Sequence, residues 1–123
     1  MLGKYDVMVK KDGRFKIPKV WREEIQSEWY NIYKAKEPSQ FGETVLIYSF
    51  DDIDDSNYEL IISYVVAAYG VFFVPADYRE KMHGECTIVG LMDHFSLHIK
   101  SEYEKAFAKK EQDIEKLLNE LGF

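Results

Sequence analysis

The cationic residues near the start of the chain are those whose type and spacing could support binding chemistry. Between residues 4 and 22 the sequence carries seven lysines and arginines but only two aspartates, although the whole chain of 123 residues has a formal net charge of −6. A local field of one sign can capture a polyanion even when the total charge is opposite. The candidate binding residues are Lys10, Lys11, Arg14 and Lys16. The alternative is that these charges only keep a hairpin soluble.

Other residues with potential chemistry are less well placed. Four aspartates at 51–55 predict a solvated turn, because the glycine and the distal glutamate of a calcium loop are missing. His94 and His98 lie in an extended segment, about 13 Å apart, and therefore cannot share one ion. His83 and Cys86 lack an acid partner. We therefore expect no metal, no cofactor, no small-molecule substrate and no enzymatic activity.

The cationic residues belong to an eleven-residue segment that occurs twice. Residues 13–23 return as residues 70–80 at a constant offset of 57, and seven points are kept: Gly, Phe, an aliphatic residue, Pro, an aromatic residue, Arg and Glu. Each copy is typical of a turn glycine, a short strand, a proline at a helix start and a first helical turn. A unit used twice predicts a pseudo-symmetric fold.

Alternating patterns place the cationic residues on a hairpin. Residues 5–10 and 14–17 alternate with period two, and the loop between them carries Gly13. This register places Lys10 opposite Arg14 and Val9 opposite Phe15. The same strands can also pair between two interleaved copies, and the sequence leaves both arrangements open.

The following segments are predicted to be helical or extended in turn. A helix is expected from Pro18 to about residue 33, before Pro38, because aromatic and aliphatic residues recur at helical spacing. Strands are expected at 44–49 and 58–64, and a strand, a tight turn and a strand at 86–99. A shorter helix in the second copy should end at His83 and Gly84.

The last helix is predicted to begin with a capping box, Ser101 with Glu104, and to run to Leu121 before Gly122. Its first half is expected to pack on its own domain. Its last turns, which carry Ile114 and three leucines, either meet a partner subunit or fold back onto the same chain.

The lengths of the apolar runs and the cysteine content favour a cytoplasmic protein without a membrane segment. No run approaches the roughly 20 apolar residues of a membrane span, and residues 1–5 lack the apolar core of a signal peptide. The single cysteine, Cys86, excludes an intramolecular disulfide and fits a reducing compartment.

The assembled motifs resemble those of a known family. The signature Asp-Gly-Arg-Phe-Lys-Ile-Pro-Lys-Val-Trp-Arg-Glu-Glu covers residues 12–24, is echoed at 70–80, and is joined by Ile-Val-Gly-Leu-Met-Asp-His-Phe at 88–95. On these residues the chain resembles the MraZ family, two-copy members of the AbrB/SpoVT/MazE swapped-hairpin superfamily. Residues 27–43 and 50–64 depart from the family pattern.

The resemblance implies a fold. This is α+β and mainly β: a pseudo-two-fold duplicated swapped-hairpin barrel with short helices and a long C-terminal helix. The implied division of the single domain is a first half at 1–57, a second half at 58–100 and a C-terminal helix at 101–123.

The resemblance also implies a function: a nucleoid-associated transcriptional regulator that forms rings or other oligomers and binds short repeated DNA boxes. The DNA-facing motif of the family is Asp-x-x-x-Arg. Here Arg14 is kept, Lys10 stands at the aspartate position, and Ala67 and Val71 occupy both positions in the second copy. The alternative is a degenerate relative, an oligomeric scaffold or protein-binding module without DNA binding.

The mechanism expected from these residues is electrostatic. Arg14 would read a base edge or hold a phosphate with its planar fork, and Lys10, Lys11 and Lys16 would neutralise phosphates of double-stranded DNA. Four charges on one patch bind weakly, so a homo-oligomer would have to place several hairpins on one duplex. Arg22 and Arg79, equivalent in the two copies, are expected to form structural ion pairs.

Overall fold

The computed structural model describes residues 1–36 and 45–122. Within these ranges the strands are β1 Leu2–Val9, β2 Arg14–Lys16, β3 Trp29–Ala35, β4 Val45–Ser49, β5 Tyr58–Val65, β6 Val71–Phe73, β7 Gly84–Leu91 and β8 His94–Ile99. The helices are α1 Lys19–Glu24, α2 Arg79–Met82 and α3 Lys100–Glu120, with 3₁₀ turns at Ala68–Gly70 and Ala76–Tyr78. The expectation of a mainly β chain with short helices and a long C-terminal helix is confirmed.

The strands form two antiparallel sheets. The larger has six strands in the order β1-β7-β8-β4-β3-β5, and the smaller pairs β2 with β6. In the smaller sheet Phe15 lies opposite Phe72, its equivalent at the offset of 57. In the larger sheet β1 pairs with β7 and β5 pairs with β3 along most of their lengths.

The predicted register between β1 and β2 is therefore wrong beyond the turn. The Lys10 amide still donates to the Arg14 carbonyl at 2.9 Å, but Val9 lies opposite Gly84 and not opposite Phe15. An isolated two-stranded hairpin buries too little apolar surface to be stable. Pairing β2 with β6 instead buries both Phe15 and Phe72 in the core.

Aromatic side chains fill the space between the two sheets. The rings of Tyr48 and Phe95 stack with centroids 4.8 Å apart, and those of Tyr30 and Phe72 lie 4.6 Å apart. Each large aromatic residue contributes roughly 150–250 Å² of buried surface. The Tyr48 hydroxyl donates to the Phe73 carbonyl at 2.7 Å, so its burial leaves no unpaired donor. The core thus ties the smaller sheet to the centre of the larger one.

The predicted first helix is too long. α1 ends at Glu24, and residues 29–35, which the helical spacing included, form β3. Burial along β3 has period two at its start: Trp29 is 56% exposed, whereas Tyr30 is 1% exposed. Aromatic and β-branched residues fit a pleated, half-buried surface, and pairing with both β4 and β5 overrides the helical pattern. Pro38 lies outside the described residues.

Most other element predictions are confirmed. The strands at 44–49 and 58–64 correspond to β4 and β5, with Thr44 outside the described residues, and the strand-turn-strand at 86–99 corresponds to β7 and β8. The second-copy helix ends at Met82, immediately before His83 and Gly84.

The capping box is wrong, because α3 begins at Lys100 directly after β8, and Ile99 at the cap position makes no side-chain cap bond. The start of α3 is instead held by Lys100 Nζ, 3.3 Å from Asp6 Oδ2 on β1. Its end agrees with the prediction: the Gly122 amide donates to the Asn119 carbonyl, and Gly122 has φ +82°.

The two halves of α3 have different surroundings. The ring of Tyr103, in the second turn, lies 5.0 Å from that of His98 on β8. From Phe107 onward every described side chain of the helix is exposed, including Ile114, Leu117 and Leu118. The expectation that the first half packs on its own domain is confirmed for Tyr103 but wrong for Phe107, which is 47% exposed. Folding back of the last turns onto the same chain is wrong for the described residues. No helix in the described ranges is long and apolar enough to cross a membrane.

Candidate nucleic-acid interface

The candidate binding residues lie on and beside the turn between β1 and β2. The Gly13 amide donates to the Lys10 carbonyl at 2.8 Å, and Gly13 has φ +88°, a conformation that glycine adopts without strain. Because the turn reverses the chain within four residues, the side chains on both sides of it are close together. All four predicted residues are exposed: Lys10, Lys11, Arg14 and Lys16.

Three of the four residues line one shallow depression. Lys10, Arg14 and Lys16 line a space of about 520 Å³ together with one acidic residue, Asp6, and with apolar residues that include Phe15 and Val71. Lys11 does not line this space and lies at the tip of the turn. Among residues 1–36 and 45–122, the only ion pair of these four cations is that of Arg14. No described carboxylate therefore forms an ion pair with any of the three lysines.

Asp12 orients Arg14. Its Oδ2 accepts a hydrogen bond from Arg14 Nε at 2.7 Å, and its Oδ1 accepts one from the Arg14 amide at 3.1 Å. These bonds lower the pKa of Asp12, the main-chain amide having the largest effect, so this carboxylate stays ionised at neutral pH. Within the described part of the chain the two terminal nitrogens of Arg14 have no hydrogen-bond partner. They remain able to form the parallel bonds that a base edge or phosphate accepts.

The equivalent turn of the second copy carries no such charge. Ala67 and Val71 stand where Lys10 and Arg14 stand in the first copy. Tyr69, the equivalent of Asp12, has φ +65° and a side chain that is 79% exposed. The second turn is therefore uncharged and aromatic at its tip.

The glycine of each turn lies under an arginine of the other copy of the repeat. Arg79 Nε donates to the Val74 carbonyl at 2.8 Å and packs over Gly13. Arg22 Nη1 donates to the Tyr69 carbonyl at 3.1 Å and packs over Gly70. The expected ion pairs are wrong for the described residues, because both guanidinium groups bind main-chain carbonyl oxygens.

Main-chain bonds are exchanged between the same two turns. The Ile17 amide donates to the Gly70 carbonyl at 3.1 Å, and the Val74 amide donates to the Gly13 carbonyl at 2.8 Å. These two bonds are equivalent at the offset of 57. The recurrence of Gly, the aliphatic residue and Arg is visible in the sequence. The sequence does not show that the main chain of each copy is hydrogen-bonded to the main chain of the other copy.

The remaining chemistry-bearing residues do not form a site. Cys86 is buried, and burial raises the pKa of its thiol to about 11, so it is protonated at neutral pH and a poor nucleophile. His83 Nδ1 lies 2.9 Å from the Arg79 carbonyl oxygen. His94 Nδ1 is 2.9 Å from Asp93 Oδ1, and His98 Nε2 is 2.7 Å from the Ser96 hydroxyl. Within the described ranges no group of three acidic, histidine or cysteine side chains is arranged to hold a metal ion.

A second cavity, which sequence reasoning missed, lies on the face of the larger sheet beside Tyr103. It measures about 600 Å³, with apolar walls from β4 and β7 that include Ile47 and Val89, and with Asp51 and Asp93 at its rim. Among the residues that the structure describes, its lining includes no lysine or arginine. It is therefore unlike the first-turn depression in both charge and polarity.

Comparison with known proteins adds no relative: no protein-family model matches the sequence, and no curated protein matches it significantly.

Proposed function

We propose that this chain is an MraZ-like, non-catalytic DNA-binding regulator that binds double-stranded DNA through the first turn and acts as an oligomer. The observation that carries the proposal is the open cationic depression formed by Lys10, Arg14 and Lys16, with Lys11 at the adjacent tip. Clustered cations on one exposed turn, of which only Arg14 is ion-paired among the described residues, are the electrostatic footprint of a phosphate-binding surface. We propose a location in the cytoplasm, in association with the nucleoid.

The strand order supports the proposed kinship with the swapped-hairpin superfamily. In the two halves, β1 corresponds to β5, β3 to β7 and β4 to β8. When each strand in the order β1-β7-β8-β4-β3-β5 is replaced by its counterpart and the order is read from the other end, the same order is obtained. The first strand of each half pairs with a strand of the other half, and β2 meets β6 at Phe15 and Phe72. A pseudo-two-fold duplicated swapped-hairpin barrel accounts for these pairings.

In the proposed mechanism, Arg14 and the lysines contact different parts of the DNA. Asp12 holds Arg14 Nε and leaves the two terminal nitrogens to form paired bonds with a guanine edge or a phosphate. Lys10, Lys11 and Lys16 contact phosphates and release counterions. With three lysine–phosphate contacts, the logarithm of the binding constant should fall with the logarithm of salt concentration at a slope of about −2.7, or about −3.6 where Arg14 binds a phosphate as well.

Oligomerisation supplies the remaining affinity. Several basic turns on one duplex bind with an avidity far above that of a single turn. The exposed apolar residues of the last turns of α3, including Ile114, Leu117 and Leu118, support association with further subunits.

The proposal is tested by comparing Arg14→Ala with Lys11→Ala. Duplexes enriched from a random pool by the wild-type protein, and scrambled versions of them, are titrated by fluorescence anisotropy at several salt concentrations. Arg14→Ala should reduce the preference for the enriched duplex, whereas Lys11→Ala should weaken binding to both duplexes alike and lower the salt slope by about 0.9. Lys105→Ala, which removes an exposed charge from α3, is the matched control and should bind as wild type does. Wild-type binding by both turn variants would rule the proposal out.

The second candidate function is a protein-binding module without DNA binding. It is favoured by the uncharged second turn with its exposed Tyr69 and by the net charge of −6. Large exposed aromatic side chains are enriched at protein interfaces. Retention on immobilised duplex DNA at low salt separates the two candidates, because the protein-binding module would elute in the void volume.

A further inference from the structure

The six-stranded sheet has a second face, opposite the one that packs on the aromatic core. Tyr48 and Phe95 stack in the core, and side chains alternate between the two faces along a strand. Their neighbours Ile47 and Ser96 therefore point to the second face, where they lie opposite each other on β4 and β8. Val89 on β7 lies opposite Ser96 in turn. These three residues form one row across three strands, and all three line the cavity of about 600 Å³ described above.

The floor of this cavity holds polar side chains that are shielded from solvent. Ser49, Ser96 and His98 are 2%, 5% and 4% exposed, and all three line the cavity. The Ser96 hydroxyl lies 2.7 Å from His98 Nε2, and the Ser49 hydroxyl donates to the Asp51 carbonyl at 2.8 Å. A few fixed polar groups in an otherwise apolar pocket are what orients a bound small molecule.

The walls of the cavity are largely apolar. Val45, Ile47 and Val89 contribute from the sheet, and Ile53 and Tyr58 contribute from the segment that follows β4 and from the start of β5. Close-packed protein interiors have few voids larger than a water molecule. A space of about 600 Å³ lies instead within the range of small-molecule sites, roughly 300–1,000 Å³. The walls therefore suit an aromatic or branched aliphatic group.

The rim of the cavity is acidic. Asp51 and Asp52 follow β4, and Asp93 lies in the turn between β7 and β8. The Phe50 amide donates to the Asp93 carbonyl at 3.4 Å, which brings the two acidic turns together. The His94 ring is bonded to Asp93 and lowers the pKa of that carboxyl, so it is ionised at neutral pH. Within the described ranges no lysine or arginine forms an ion pair with these three aspartates.

We propose that this cavity binds a small organic cation, with its ammonium group at the aspartate rim and its aromatic or branched aliphatic body against the apolar walls. The rim favours positive charge and disfavours carboxylates and phosphates. The walls favour an apolar body over a bare metal ion. The site is separate from the proposed DNA-binding surface, because the cavity and the first-turn depression share no lining residue among those that the structure describes.

Isothermal titration calorimetry of the full chain with phenethylamine and with tryptamine tests the proposal. At least one amine should bind saturably, at one site per chain, with a dissociation constant on the order of 1 mM or lower. Phenethyl alcohol and phenylpropionate, which have a similar body without the positive charge, should bind at least ~10-fold more weakly than phenethylamine. Equal binding of the three phenyl probes overturns the proposal, and so does the absence of saturable binding by either amine below ~10 mM.

Variants of the walls and rim locate the bound amine. Ile47→Phe places a larger side chain in the cavity and should weaken amine binding at least ~10-fold. Asp51→Asn and Asp93→Asn each remove a rim charge and should weaken it about 3-fold. Asp113→Asn, which neutralises an exposed carboxylate on α3, is the matched control and should bind as wild type does. Circular dichroism melting checks that the variants remain folded, and wild-type affinity in all three cavity variants overturns the proposal.

Nuclear magnetic resonance provides a readout that does not depend on a variant. Phenethylamine should shift the methyl signals of Ile47 and Val89 in the cavity, whereas those of Val71 in the first-turn depression should not move. The opposite pattern overturns the proposal. Arg14→Ala should bind the amines as wild type does, so failure of DNA binding and failure of amine binding give different results.

Discussion

The two turns of the repeat share one main-chain construction and differ in the surface they present. Gly13 and Gly70 both have positive φ, both lie under an arginine of the other copy, and both carbonyls accept an amide of the other copy. One tip nevertheless carries a cluster of cations, and the other an exposed tyrosine. The comparison teaches that the glycines and arginines maintain the scaffold, whereas the tip residues can differ in charge and size without altering it.

The largest expected effect comes from filling the space that each glycine leaves. A Cβ at Gly13 would lie 2.7 Å from the Val74 carbonyl oxygen, which is main chain, whereas a Cβ at Gly70 would meet the side chain of Arg22. Gly13→Ala should therefore lower the free energy of unfolding by about 3 kcal/mol, and Gly70→Ala by about 2 kcal/mol. Urea denaturation measures both. Equal losses would mean that the two turns are held alike.

A smaller effect is expected from the two arginines. Arg79 Nε is bonded to Val74, whereas Arg22 Nε is buried without a hydrogen-bond partner in the described structure and only Nη1 of Arg22 is bonded. Arg79→Met should lower the free energy of unfolding by about 1–2 kcal/mol, since it removes a charge-assisted bond, and Arg22→Met by less than about 1 kcal/mol. Thermal melting of the two variants tests this order. A greater loss for Arg22→Met would contradict it.

A gain in binding is expected when the second turn is given the charges of the first. Ala67→Lys with Val71→Arg should raise affinity for duplex DNA about 10-fold at low salt and steepen the salt slope by about 1.8. Fluorescence anisotropy measures both quantities. The matched control, Ala67→Gln with Val71→Gln, should bind as wild type does, and an equal gain there would show that charge is not the cause.

Local patterns in the sequence correctly predicted the elements whose conformation depends on residues within the element itself. The glycine, the short strand, the proline and the first helical turn of each copy lie where the repeat indicated, and α3 ends at its glycine. Helical spacing failed after Glu24, because Tyr30 and Ile32 are buried by pairing with β4 and β5, which a local pattern does not record. The capping box failed because Lys100 is fixed by Asp6 on a strand distant in sequence.

The candidate site was predictable only in part. The density of positive charge in the sequence identified Lys10, Lys11, Arg14 and Lys16 as candidates. The hairpin pattern predicted that their side chains would be exposed on one turn. The sequence could not reveal that Asp12 orients Arg14 or that Lys11 lies outside the depression, because both depend on side-chain directions at the turn. The two arginines recur visibly in the sequence, yet the glycines over which they pack belong to the opposite copy, and spacing within one copy carries no information about this packing.

The exchange of strands between the two halves has a consequence for how the chain is made. β1 finds its partner in β7, more than 70 residues later, and β2 finds its partner in β6. During synthesis β1 and β2 therefore lack their partners until most of the second half has emerged, although β3 and β4 of the first half can pair with each other earlier. Contacts so distant in sequence are characteristic of slow folding, on the millisecond-to-second scale. Fragments that separate the two halves should remain unfolded alone and regain structure when they are mixed.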